Sequence, residues 1–163
     1  MRPQDKTILI SGTHLFAIVD SDIFDELTKY KWHLTNSGYA VRQKYTNTID
    51  GVKKYKKIYM HKVVMNGGEV IDHINGNKLD NRKNNLRSAT YCQNSMNSTR
   101  RTGKSNYRGV GYATLCPDRP WTARITVNKK RIFLGNFSSE TEAAMAYDIA
   151  AKKHFPDFAR TNL

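Results

Sequence analysis

An acidic residue stands directly beside a histidine at Asp72-His73, and a crowd of short polar side chains follows: Asn75-Gly76-Asn77, Asp80-Asn81 and Asn84-Asn85. Aspartate offers a hard oxygen ligand to a divalent cation, and histidine accepts a proton near neutral pH. Asparagine carbonyls can ligate a metal or orient an imidazole without adding charge. A segment built for stability alone has little use for so many polar groups in a row. A site that holds a divalent cation and moves a proton does. Each group also has an ordinary alternative: Asp72 can cap a turn, His73 can face solvent from a strand, and asparagines are common in turns because their side chains bond local backbone.

The elements that must position these groups follow from pattern. Val70 to Ile74 reads as a strand, Asn75-Gly76-Asn77 turns it, and Leu86 to Ala89 reads as the returning strand. Thr90-Tyr91-Cys92-Gln93 has the form of a capping box, so a short helix should start at Tyr91, with Asn94 in its first turn and Asn97 one turn further on. Upstream, Thr7–Ile10 and Leu15–Val19 are apolar runs of strand length. Asp20-Ser21-Asp22 offers N-cap chemistry to a helix carrying Ile23, Phe24, Leu27 and Tyr30, and Trp32 should anchor that helix. Asp50-Gly51 is a hairpin signal, and Lys53 to Met60 alternates basic and aromatic residues as an exposed strand does. Two readings stand for Lys53, Lys54, Lys56 and Lys57: a solvated edge guarded by lysines, or phosphate contact.

Beyond Ser98 the character changes. Residues 98–106 are polar and basic with no apolar residue, a linker composition that could track a DNA backbone through Arg100, Arg101 and Lys104. Tyr107 to Tyr112, Trp121 to Val127 and Arg131 to Gly135 read as strands, with Asn128-Lys129 as a tight turn between the last two. Ser139 and Glu142 form a second capping box for a helix over about 140–154, which Pro156 stops from continuing.

Lys and Arg total 27 against 14 Asp and Glu, a net charge of +13 in 163 residues. That excess favours a polyanion, most simply nucleic acid. No run of about 18 apolar residues exists, so no spanning helix is expected. The N-terminus lacks an apolar signal core, which points to the cytoplasm. Cys92 and Cys116 cannot make a four-thiolate zinc site.

The segment from about Met60 to Asn97 resembles an HNH endonuclease of the ββα-metal class. The Asp-His pair, the Asn81-Arg82-x-x-Asn85-Leu86-Arg87 phrase and the Thr90-x-x-Gln93-Asn94 helix start carry the resemblance, in the order and spacing of homing-type and phage-type members. The last family position is often His and is Asn94 here. The resemblance implies that His73 is the general base that activates the attacking water, and that Asp72 and Asn94 are the metal ligands. It implies that Asn85 orients the base and braces the loop. One Mg²⁺ or Mn²⁺ per active site is implied, and no zinc. Asn81 and Asn84 read as structural loop residues, Asn97 as structural or DNA-facing, and His61 as support or packing.

The segment from Ser105 to Leu163 resembles the ethylene-response-factor (ERF, Apetala-two class) DNA-binding domain. The matching phrases are Tyr107-Arg108-Gly109-Val110, Trp121-x-Ala123-x-Ile125, Phe133-Leu134-Gly135-Asn136-Phe137 and Glu142 to Asp148. In that family a three-stranded sheet enters the major groove. Arg108, Trp121 and Arg131 match contact positions, and Arg124 points from the same strand. Trp121 reads equally well as a core residue. Gly111 and Ala113 stand where the plant domains carry arginines, so base specificity does not transfer.

These observations imply an α+β protein. An HNH nuclease domain spans residues 1–98, with its ββα-metal core at about 60–97. A basic linker covers 99–106, and residues 107–163 form an ERF-like domain, a three-stranded antiparallel sheet packed on one helix. The implied function is a metal-dependent DNA endonuclease of phage or mobile-element type. It acts on double-stranded DNA as a monomer in the cytoplasm (a host cell's, if phage-encoded), with no membrane partner. The rivals are a non-catalytic sequence-specific DNA-binding regulator and an RNA-directed or structure-specific nuclease.

Overall fold

The computed structural model describes residues 5–97, 105–113 and 116–163; the linker cations Arg100, Arg101 and Lys104 lie outside them. The described residues are mixed α/β, with four α-helices and four small sheets. They divide into two compact units, Met1–Ser88 and Ala89–Leu163. That division falls ahead of the helix expected to close the nuclease segment.

In the first unit, β1 (Asp5–Leu9) and β2 (Phe16–Asp20) form an antiparallel hairpin. Helix α1 (Ser21–Leu27) follows directly. Asp20 occupies its N-cap position but caps nothing with its side chain; its carboxylate instead accepts the Lys83 N–H at 2.7 Å. Trp32 anchors α1 as expected: it is buried, and its Nε1 donates to Leu27 O at 2.8 Å. A second antiparallel sheet joins β3 (His33–Leu34), β4 (Ala40–Ile49) and β5 (Val52–Tyr59). Asp50 and Gly51, both at positive φ, make the turn between β4 and β5, the backbone that a two-residue hairpin requires.

Strand β5 does not run on through Met60 as expected. Met60–Val64 is a short helix, α2, with no side-chain cap; it buries Met60, His61 and Val64. Packing rather than capping holds it. Strands β6 (Ile71–His73) and β7 (Leu86–Ser88) then pair antiparallel, and the loop between them ends in a 3-10 turn at Lys83–Asn85. One core of buried residues, among them Ile10, Val19, Leu27, Trp32, Met60 and Leu86, ties these pieces together.

In the second unit, α3 (Tyr91–Asn97) starts on a true capping box: Gln93 N donates to Thr90 Oγ1 at 3.2 Å, and Thr90 N donates to Gln93 Oε1 at 2.8 Å. Met96 enters a core with Ile125, Tyr147, Ala150 and Phe155. Strands β8 (Val110–Tyr112), β9 (Trp121–Val127) and β10 (Lys130–Phe137) form an antiparallel sheet with β9 in the middle. Asn128 and Lys129, both at positive φ, make the β9–β10 turn. Helix α4 (Glu140–His154) starts at Ser139, whose side chain accepts Glu142 N–H, and packs its alanines against Val110, Ala123 and Ile125. Gly109 sits at φ +72°, and a Cβ there would lie 2.1 Å from the Tyr147 ring. Only glycine suits that approach.

Candidate active site

The β6–β7 register places Asp72 directly across from Arg87 and His73 across from Leu86. Cross-strand neighbours share a face, so Asp72 and Arg87 meet. Arg87 Nε and one terminal nitrogen approach Asp72 Oδ2 at 2.8 and 2.7 Å. The carboxylate is 4% exposed. A carboxylate supplies hard oxygen donors of the kind a divalent cation takes. Asp72 therefore fits a hard cation. Among the described residues no group of three or more His, Cys, Asp or Glu side chains gathers to hold a metal. A cation here would draw on Asp72, on amide oxygens and on groups brought by substrate.

His73, the next residue along the strand, belongs to a different neighbourhood. Its ring lies edge-on to His61, with centroids 5.3 Å apart at 86°, and 5.9 Å from Tyr39. Tyr39 and Tyr59 also flank His61, at 5.2 and 5.5 Å. Burial pushes the His73 pKa down; the Asn81 hydrogen bond and the charges of Asp72 and Asp80 oppose the shift without reversing it. Burial, with His73 and Lys62 nearby, pushes His61 down to about 4. Both rings are therefore neutral at pH 7, as a general base must be.

The asparagines of the loop make different contacts. Asn85 does brace the loop: its Oδ1 accepts Asn75 N–H at 3.0 Å, and its Nδ2 donates to Asp80 O at 2.8 Å. Asn81 hydrogen-bonds the imidazole, Oδ1 to Nε2 at 3.4 Å. Asn81, expected to be a structural loop residue, is fully buried, and its Nδ2 has no hydrogen-bond partner among the described residues. Its placement comes from far away in sequence: Asn81 N donates to Ile18 O, and Ile18 N donates to Leu79 O, both at 2.8 Å. Strand β2 is thus a rail for the loop.

Arg82 locks that rail. Its Nε and one terminal nitrogen grip both oxygens of Asp80 at 2.8 and 2.7 Å, and its other terminal nitrogen reaches Asp5 on β1 at 2.9 Å. Burial opposes charge on Asp80, but Arg82 overcomes it and holds the carboxyl below its usual range. Asp80 also accepts Asn75 Nδ2 at 2.8 Å. Sequence offered no signal that this Arg–Asp pair would serve the loop.

Asn94 lies on α3, one residue past the capping box, in the second unit. In that unit the expected DNA contacts sort by strand face. Side chains alternate along β9, so Trp121, Ala123 and Ile125 face the helix while Thr122, Arg124 and Thr126 face away. Trp121 is half-buried, packs on the α4 core and lies edge-on against Tyr112, ring centroids 5.1 Å apart. Arg124 lies on the open face, its guanidinium 5.8 Å from the Phe133 ring, and Arg131 stands opposite Thr126 on the same face. Arg108, an expected DNA contact, is half-buried, and its guanidinium donates to the carbonyls of Met96, at 2.8 Å, and Ser95 at the end of α3. Cations at a helix C-terminus suit its dipole. Arg108, Arg124 and Arg131 nevertheless line one open recess of about 580 Å³.

Residues 64–96 match the HNH endonuclease family. That stretch runs from the end of α2 through β6, the asparagine loop and β7 into α3, and so contains every candidate catalytic and metal-binding residue. Along nearly its whole length the chain is similar to an uncharacterized HNH endonuclease of Acanthamoeba polyphaga mimivirus, 31% identical over 160 residues that cover 96% of this chain and 79% of the relative. No described helix is long and apolar enough to cross a membrane. The buried acid–histidine pair with its amide-braced loop is thus carried by the matched stretch, and the chain belongs to the HNH endonuclease family.

Proposed function

We propose that this nuclease hydrolyses phosphodiester bonds of duplex DNA with the help of one divalent cation. The carrying observation is the neutral, buried His73 ring hydrogen-bonded through Nε2 to Asn81. If Nε2 carries the proton it donates to Asn81 Oδ1, then Nδ1 keeps its lone pair and accepts a proton from the attacking water. Asp72 and Asn94 would hold the cation, which when bound would neutralise charge at the phosphoryl and leaving oxygens. Oxygen donors of this kind suit Mg²⁺ or Mn²⁺. Asn85 keeps the loop in shape beneath the base.

The second unit would add target selection. Its open sheet face carries Arg124 and Arg131 with no acidic residue on β9 or β10, and a major groove admits such an element. The ERF-like resemblance and the basic segment with Arg100, Arg101 and Lys104 support the same division of labour: residues 1–98 cut, and 107–163 read. The viral origin of the relative fits work inside a host cell.

The test is cleavage of supercoiled plasmid by the full chain. Mg²⁺ should give nicked or linear product, EDTA should stop it, and His73→Ala should remove it while DNA affinity stays. Wild-type cutting by His73→Ala would end the assignment of the base.

A further inference from the structure

The β4–β5 hairpin extends well past the two-residue partner strand β3, so most of it is a two-stranded ribbon. Its register sorts the side chains. On one face lie Arg42 opposite Ile58, Lys44 opposite Lys56, and Asn47 opposite Lys54. The other face carries Gln43 opposite Lys57, Tyr45 opposite Tyr55, and Thr48 opposite Lys53. The first face therefore holds four cations and no acid; the one acid in the hairpin, Asp50, sits in the turn. Lys44, Lys54 and Lys56 are all exposed, and none of the four cations forms an ion pair among the described residues.

Stability alone does not explain this face. Like charges directly opposite across a strand pair destabilise it, and Lys44 faces Lys56. Guarding the ribbon's edges needs a lysine or two on each strand, and it does not call for the cations to gather on one face. The face also has a shaped root. The Arg42 guanidinium lies 3.8 Å from the centroid of the Tyr30 ring and 5.9 Å from that of Trp32. This stacking holds the cation in place, while its buried Nε has no hydrogen-bond partner among the described residues. Tyr30, Lys31, His33 and Arg42 line an open recess of about 490 Å³ there.

We propose that this face of the β4–β5 ribbon is a second DNA-binding surface, a phosphate track in which Lys44, Lys54 and Lys56 contact the duplex backbone and the Arg42 recess seats one phosphate at the root. It rests on the reading of duplex DNA as substrate. Charge complementarity names the occupant, and a two-stranded ribbon fits a major groove about 12 Å wide. A single strand would call for aromatic rings presented to its bases. The ribbon's paired rings, Tyr45 and Tyr55, lie on the other face and pack edge-on against each other.

The experiment compares full-length chains for binding to a labelled linear duplex in EDTA, across a salt series, with plasmid cleavage in Mg²⁺ run alongside. The triple variant Lys44→Gln, Lys54→Gln, Lys56→Gln should lower affinity and flatten the log–log salt dependence by about 0.9 per lost contact, roughly 3 in all. Its melting temperature should not fall, because the Lys44–Lys56 repulsion is gone. Arg42→Gln should flatten the slope by about one more. The opposite-face pair Lys53→Gln, Lys57→Gln should keep the wild-type slope. An unchanged slope in the triple variant overturns the proposal, as does an equal loss from the opposite-face pair. If wild type still cuts plasmid in either case, the nuclease reading stands without the track. If wild type neither binds duplex nor cuts it, both fall.

Discussion

His73 Nε2 and Asn81 Oδ1 face each other at 3.4 Å, and the two residues are held by different parts of the first unit. His73 belongs to β6, while Asn81 hangs by its backbone from Ile18 on β2. The orientation of the imidazole thus depends on a hairpin near the start of the chain. Substitutions that leave His73 and Asn81 untouched can disturb it.

Replacing His73 by alanine should reduce single-turnover cleavage by about 10² to 10⁴. The pH profile carries a further signature. Burial lowers the His73 pKa below its ordinary 6.5, and a general base in the proposed role works in its neutral form. Cleavage should therefore hold as pH falls through 6.5 and decline only below it. Rates at saturating DNA and cation, taken against pH, check this; an acid limb centred above 6.5 contradicts it.

Asn81 and Asn85 should respond in different ways. Asn85→Ala strands Asn75 N–H and Asp80 O, which should destabilise the fold by about 1–3 kcal/mol. Asn81→Leu removes a buried Nδ2 with no hydrogen-bond partner among the described residues but also takes the Oδ1 facing the buried His73 Nε2, so its urea midpoint should fall by less than that of Asn85→Ala. Its cleavage rate should fall roughly ten- to a hundredfold as the base loses its orientation. An unstable but fully active Asn81→Leu protein would reverse the two assignments.

His61 should make the protein acid-sensitive. Its folded pKa of about 4 lies below the ordinary 6.5, so the unfolded chain binds the extra proton first. The stability contributed by neutral His61 is complete above pH 6.5 and is lost as pH falls towards 4. By pH 4.5 the loss should reach about 2–3 kcal/mol. His61→Phe keeps a ring between Tyr39 and Tyr59 and should remove that part of the slope in urea titrations at several pH values.

Arg82→Ala should be among the most damaging substitutions far from the base. It leaves Asp80 and Asp5, both buried, without their shared cation. Breaking such a pair costs about 3–5 kcal/mol. Arg82→Lys should recover only part, since an ammonium cannot grip both Asp80 oxygens as the guanidinium does. Thermal unfolding of the three proteins gives the ranking.

Local chemistry made much of this fold legible. The Thr90–Gln93 box, the Ser139 cap and the Asp50-Gly51 and Asn128-Lys129 turns depend on neighbours within a few residues, and each appears as expected. Helix α2 escaped because five uncapped residues following a strand carry no periodic signal. Asn81 and Asn85 are chemically identical in sequence; only the distant contact to Ile18 decides which reaches the imidazole. Trp121 and Arg124 came apart for a plainer reason. Residues three apart on a strand face opposite ways, so once Ala123 and Ile125 enter the core Trp121 must follow them and Arg124 must leave.

Gly109 and Tyr147 restrict how the second unit can change over generations. The tyrosine ring fills the space where any side chain at position 109 would begin, and the Arg124 carbonyl stands 2.6 Å from the same point. A smaller residue at 147 clears the ring but not the carbonyl or the left-handed backbone. The constraint is therefore one-sided: no change at 147 frees position 109, and a lineage that altered 109 first would have to rebuild the start of β8 before it folded again.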